Sequence, residues 1–310
     1  MSGGIDTPVA LLLFRRPEET ARVFERIREA RPAKLFLVAD GPRPGNEEDA
    51  RGCERARAVV EGVDWDCEVV RDFADENLGL KRRIPSGIDR VFREAPEAIF
   101  LEDDCLPHPS FFPYCEELLD RYRDDERIVH IAGSQLLQRP PKGASYHFSR
   151  YVHVWGWASW RRAWDLYDVD LSDWHADSEA ERDARLRLRF EQEDERRFWG
   201  WVWDRSDEID NWDAQWSYTA LSRKLLAVNP NRNLISNIGF SADATNAVAD
   251  PLGIAARPLE GIEFPLEHPD SVSRDEVADA LASRFFRRSA PPLLARLAQR
   301  VRGIGSGSGR

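Results

Sequence analysis

Between Pro8 and Gly133 short apolar runs alternate with stretches of helical period, and few folds accommodate that alternation. It specifies parallel strands joined by crossover helices. Residues 9–14 are continuously apolar and residues 34–39 nearly so, as expected of central strands covered on both faces. Residues 67–70 make a shorter strand nearer an edge, and residues 98–101 and 128–132 supply a fourth and a fifth. Between them, Pro17 suits a first helical turn and Thr20, Val23, Phe24 and Ile27 mark one face. Residues 79–94 repeat the device with Ile84, Ile88, Val91 and Phe92, and Ser110 is placed to cap a helix carrying Phe111, Tyr114, Cys115, Leu118 and Tyr122. The expected class is α/β, an open, mostly parallel, Rossmann-like sheet flanked by helices.

Ligands bind such sheets at the carboxyl ends of the strands, and polar clusters fall there. Arg15 and Arg16 follow the first strand, Asp40 and Gly41 the second, residues 75–79 the third, and Glu102, Asp103 and Asp104 the fourth. Three consecutive carboxylates repel one another unless a cation or several donors compensate them, and an all-oxygen set suits Mg2+ or Mn2+. The plainer reading is an acidic loop that faces water and caps the next helix. Arg16, Lys81, Arg82 and Arg83 are cations available to phosphate. The first strand is not followed by GxGxxG, and P-loop, HExxH and GxSxG patterns are absent, so dinucleotide, P-loop, zincin and elbow-serine chemistry lose their signatures.

The net charge of -11 disfavours a nucleic-acid partner, because the chain as a whole repels a phosphate backbone. Cys53, Cys67, Cys105 and Cys115 form no CxxC pair and read as buried thiols of a reducing compartment. No basic segment followed by a cleavable apolar one opens the sequence, and no apolar run approaches membrane length, so the expected setting is cytoplasmic. After Gly133 aromatic clusters (residues 145–164 and 198–216) flank a charged stretch. The expected division is 1–133 as the ligand-binding half of the α/β core, 134–265 as an aromatic-rich half with a charged helical insertion at about 177–200, and 266–310 as a basic tail. Residues 178–189 read as a solvated helix. Seven arginines and no acid lie between Ser283 and Arg310, interspersed with apolar residues. That pattern reads either as a segment lying on the anionic inner face of a membrane or as a domain-packed helix with a flexible end.

Residues 8–17, the Ala39-Asp40-Gly41 turn, residues 76–81 and above all residues 100–112 (FLEDDCLPHPSFF) resemble GT-A fold, family 2-like nucleotide-diphospho-sugar glycosyltransferases. The acidic triplet followed by Pro-x-Phe-Phe is similar to the Glu-Asp-Asp form of the DxD motif in the N-acetylglucosaminyltransferases of complex N-glycan synthesis. The resemblance runs from Pro8 to Asn246 and is strongest before Gly133.

It implies a donor that is a nucleotide-diphosphate sugar, with a UDP-sugar favoured, and a carbohydrate, lipid-linked or small-metabolite acceptor. Asp104 would hold Mn2+ or Mg2+, and Glu102 and Asp103 would contact sugar or ribose. Asp40 would bind the nucleobase, with Phe14, Arg16, Asn77, Lys81 and Arg82 lining the nucleotide site and Arg15 as the one-residue-shift alternative to Arg16. Trp155, Gly156, Trp157 and Trp212 would form the acceptor side, since aromatic faces suit sugar rings; core packing explains any single tryptophan equally well, and it is their clustering between Trp155 and Trp216 that points to a sugar wall. In residues 211–216 (NWDAQW) Asp213 matches the general base of an inverting transfer, a role compatible with capping the helix that follows. Residues 236–246 resemble the loop that closes over donor phosphates, with Asn246 where a histidine ligand is more usual. Competing expectations are a sugar-nucleotide pyrophosphorylase, whose Gly-rich activating loop is missing here, and a catalytically silent carbohydrate-binding protein of the same fold.

Overall fold

Residues 4–239 and 257–289 are described by the structure, a computed structural model. The first half folds as β1 (Val9–Leu13), α1 (Pro17–Ala30), β2 (Lys34–Ala39), α2 (Glu47–Val59), β3 (Glu68–Phe73), α3 (Leu80–Glu94) and β4 (Glu97–Glu102). There follow β5 (Cys105–Pro107), α4 (Phe111–Arg121), β6 (Ile128–Ala132), β7 (Tyr146–Ser149), β8 (Trp157–Trp160) and α5 (Arg161–Trp164). The chain continues through α6 (Ser172–Ala176), α7 (Glu179–Arg189), α8 (Glu193–Asp204), α9 (Asp213–Arg223), β9 (Leu226–Pro230), β10 (Ile235–Asn237) and α10 (Glu276–Ser289).

One sheet takes the order β3-β2-β1-β4-β8-β6-β9-β7. Within it β8 and β7 run against their neighbours and the remaining strands share one direction. This is the open, mostly parallel α/β sheet flanked by helices that the sequence pattern predicts. The sheet runs across the expected boundary at Gly133, because β8 of the second half inserts between β4 and β6 of the first.

Alternation along β1 builds two cores at once. Val9, Leu11 and Leu13 point to the face covered by α1 and α4, and Ala10 and Leu12 to the face covered by α3 and α9. On the second face α3 lies very close to β2, since a Cβ at Gly87 would collide with Val38. A third cluster joins Trp174, Phe190, Trp199, Trp203 and Tyr218 with Ala278 and Ala282 of α10.

In the charged stretch α7 buries only Leu186 and begins with a Ser178/Glu181 capping box, the solvated helix expected there. Ser110 departs from expectation. It makes no side-chain cap on α4, because its hydroxyl is engaged by His108 Nδ1 at 2.8 Å and accepts from the Ile262 amide at 3.1 Å. The four cysteines are free thiols, with Cys67 partly exposed and the others buried. Among the described residues no helix is long and apolar enough to cross a membrane. The end of the basic tail, 290–310, and the loop residues 240–246 lie outside the described residues.

Candidate functional site

Parallel pairing of β1 with β4, in register Leu12 to Glu102, ends both strands at the same level. The residues after β1 therefore meet the acidic triplet. The Phe14 amide donates to Asp103 Oδ2 at 3.0 Å. Arg16 Nη1 forms an ion pair with Asp104 Oδ2 and lies 3.5 Å from Asp103 Oδ1. Of the two adjacent arginines, Arg16 is the one at the triplet; Arg15 turns to Glu48 and Asp49, each at 3.2 Å.

A small second sheet completes the wall. β5 pairs antiparallel with β10, so Asn237 lies opposite Cys105. Asn237 Nδ2 donates to Asp104 Oδ1 at 3.4 Å, and the Ile238 amide donates to the Asp104 carbonyl at 2.8 Å. Gly239 lies directly on the Asp104 carboxylate and the Arg16 guanidinium, where any Cβ would collide.

The triplet carries more negative charge than its surroundings offset. Burial, then repulsion by Asp104, Asp103 and Asp213, pushes the Glu102 carboxyl well above the usual range. Burial and Asp104 push Asp103 up to about 7, against the pull of Arg16 and the Phe14 amide. One guanidinium is thus set against three carboxylates, and the deficit fits a hard divalent cation. Among the described residues no three His, Cys, Asp or Glu side chains are grouped to enclose a metal by themselves. A cation here would be held by few protein ligands.

Asp213 opens α9 and is close enough to add to the repulsion on Glu102. Burial raises its own carboxyl, and backbone amides of the first helical turn offset part of that rise. It also faces Tyr167, whose hydroxyl donates to the Trp212 carbonyl at 3.2 Å.

Other residues singled out in the sequence are engaged elsewhere. Asp40 has both carboxylate oxygens committed. They accept from the Gly41 amide (2.9 Å), Asn77 Nδ2 (2.9 Å), the Leu78 amide (2.9 Å) and the Gly79 amide (3.2 Å). Asp40 and Asn77 thereby staple the loops after β2 and β3 together, and no oxygen of Asp40 is left without a protein donor. Lys81 Nζ donates to the Ser206 carbonyl at 3.0 Å and to Asp207 at 2.8 Å, while Asp210 accepts from its amide at 2.8 Å. The N-terminus of α3 is therefore occupied by Asp210. Arg82 is exposed on the first turn of α3, and Arg83 is buried, with its Nε donating to the Ala39 carbonyl at 3.2 Å.

The acceptor-side tryptophans need correction. Trp157 is 1% exposed and stacked on Phe100 (4.6 Å), His130 (5.1 Å) and Trp212 (5.6 Å). Trp212 is likewise buried, so neither ring has a face to offer a sugar. Gly156 is buried at φ 61, where Ile235 leaves no room for a Cβ. Trp155 is partly exposed and remains at the rim.

Sequence reasoning missed Asn237 as a partner of Asp104, Asp210 on α3, and Tyr167 beside Asp213. Strands of three residues give no readable period, which hid Asn237. Asp207 and Asp210, in the turn before α9, reach Lys81 across more than a hundred residues, a separation that leaves no local signal.

No protein-family description matches the chain, and no curated protein matches it. Among solved structures it is similar to the galactosyltransferase LgtC in complex with donor and acceptor sugar analogs, at 10% identity over 94% of this chain and 99% of that chain, TM-score 0.37. It is similar to mouse xyloside xylosyltransferase 1 in the apo form, at 11% identity over 71% and 82%, TM-score 0.35. A UDP-glucose pyrophosphorylase complexed with UDP-glucose is similar at 7% identity over 72% and 90%, TM-score 0.35. Likeness at this level leaves function to be argued from the side chains themselves.

Proposed function

We propose that this chain is a metal-dependent, inverting glycosyltransferase that moves a sugar from a nucleotide-diphosphate sugar to a hydroxyl acceptor. The observation that carries the reading is the under-compensated triplet Glu102, Asp103 and Asp104 at the carboxyl end of β4, with Arg16 and Asp213 converging on it.

Asp104 would hold Mn2+ or Mg2+, the rest of the shell coming from diphosphate and water, and the ion when bound offsets charge on the leaving diphosphate. Glu102 and Asp103 bind hydroxyls of sugar or ribose. Asp213 takes the acceptor hydroxyl proton as the new bond to the anomeric carbon forms and the bond to the diphosphate oxygen breaks. Its raised pKa brings it nearer to the operating pH, as a general base requires. Asp40 and Asn77 shape the nucleobase side of the crevice through their staple, and Phe14 lines it. Arg82, exposed on the first turn of α3, is the cation of that turn left to meet the donor, since Lys81 is tied to Asp207. Trp155 borders the acceptor, a carbohydrate or lipid-linked sugar.

The family resemblance makes UDP-sugars the first donors to test. Product analysis with Mn2+ and a donor panel checks the reading: release of nucleoside diphosphate with a glycosylated acceptor is expected. Formation of nucleoside triphosphate and sugar phosphate, only when pyrophosphate is added, would instead identify a pyrophosphorylase. The same reading takes a cytoplasmic setting, with the basic tail either on the anionic inner membrane face or free of it, and vesicle binding decides between the two. In the former case the full chain should sediment with anionic vesicles and a chain lacking residues 291–310 should not.

A further inference from the structure

The acidic triplet already has a cation. Arg16 Nη1 pairs with Asp104 Oδ2 and stands 3.5 Å from Asp103 Oδ1, and its side chain is only 25% exposed. The neighbouring cations are held elsewhere: Arg15 by Glu48 and Asp49, Lys81 by Asp207, Arg83 by Asp72. Asp104 Oδ1 faces Asn237 Nδ2 and the Cys105 thiol, at 3.4 and 3.5 Å, so Oδ2 is the oxygen on which cations must compete.

We infer that Arg16 is a resident counter-ion which the metal displaces from Asp104, and that its release couples metal binding to diphosphate binding. The inference rests on the proposed donor site and adds its order of assembly. Two cations on one carboxylate oxygen repel each other, so a metal arriving alone trades one ion pair for another and gains little. When a diphosphate arrives with it, the freed guanidinium has an anion whose geometry suits its paired donors. The backbone at Arg16 is fixed, because its carbonyl accepts from the Thr20 amide at 2.9 Å and from Thr20 Oγ1 at 2.6 Å. Only the side chain needs to swing. Coupling is reciprocal, so Mn2+ strengthens nucleotide binding by the factor by which nucleotide strengthens Mn2+.

Calorimetric and spin-resonance titrations of the full chain with Mn2+ alone, UDP alone and both together test this, in the parent, Arg16→Gln and Arg16→Lys. The parent should bind Mn2+ at least about tenfold more tightly with UDP than without it. Arg16→Gln should bind Mn2+ alone about tenfold more tightly than the parent, bind UDP less tightly at saturating Mn2+, and lose most of the coupling. Arg16→Lys should keep the parent's weak Mn2+ affinity. Mn2+ affinity that is unchanged or weaker in a folded Arg16→Gln overturns the inference while leaving the donor site standing. A parent that binds neither Mn2+ nor UDP overturns the donor-site reading itself, and the inference with it. Should Arg16→Gln fail to fold, the parent's own ratio decides: a value near one overturns the coupling.

Discussion

Two regions sit two residues apart on β4 and differ in how their chemistry is satisfied. Phe100 belongs to an aromatic layer in which Trp157 stacks on it at 4.6 Å, Trp164 on Tyr167 at 4.3 Å, and Trp216 donates to His130 Nδ1 at 3.1 Å. Glu102, on the same face of the strand, enters a crevice where carboxylates repel one another and one arginine answers them. In the layer each ring has a partner, and stability results. In the crevice charge is left over, and that surplus is what a ligand can use. Clustering of a residue type therefore does not mark a site by itself; incomplete satisfaction does.

The largest expected effect falls on the layer. Trp157→Ala should cost about 3–5 kcal/mol in urea unfolding, the range for a large buried ring. A loss below about 1 kcal/mol would return Trp157 to the acceptor surface. Next comes Asp213→Asn, which should slow transfer at least about a hundredfold while leaving Mn2+-dependent nucleotide affinity nearly unchanged. Parent-like rates would move the base elsewhere.

Glu102→Gln sharpens the contrast, because it removes a repelled charge. At pH 8 without metal it should unfold later than the parent while losing turnover, the opposite sign to a change in the layer. A destabilised Glu102→Gln would mean that the crevice is charge-balanced.

The smallest effect is one of pH. Burial holds His130 down to about 3, with Nε2 donating to the His153 carbonyl at 3.0 Å and Nδ1 accepting from Trp216. Protonation would set one N–H against another. The folded pKa lies below the unfolded 6.5, so the contribution of His130 is complete above that value and is lost as pH falls toward about 3. Between pH 6.5 and 5.5 the parent should lose about 1 kcal/mol more than His130→Gln, read from unfolding midpoints. Equal slopes would show that His130 is not neutral and buried.

Much of the sheet was legible, because continuous apolar runs such as residues 34–39 have no other place to go and the structure ends β2 at the same residues. β4 and the acids after it were legible for the same reason. Trp157 was misread because a buried aromatic strand and an aromatic sugar wall have the same composition, and only the ring on the other side distinguishes them. Asp40 was legible as a carboxylate after β2 but not as one already held by four donors, three of them from residues 77–79 on another loop. Likewise Lys81 looked free until Asp207 and Asp210, remote in sequence, were brought beside it.

The claim that unites these points is that the crevice at the end of β4 binds a nucleoside diphosphate through a metal. Calorimetric titration of the full chain with UDP, GDP, CDP and dTDP, each with and without Mn2+, tests it without knowledge of the acceptor. Binding of one diphosphate that requires Mn2+ and is lost in Asp104→Asn is the predicted result. Absence of binding by all four in the parent, or metal-dependent binding that survives in Asp104→Asn, would contradict it.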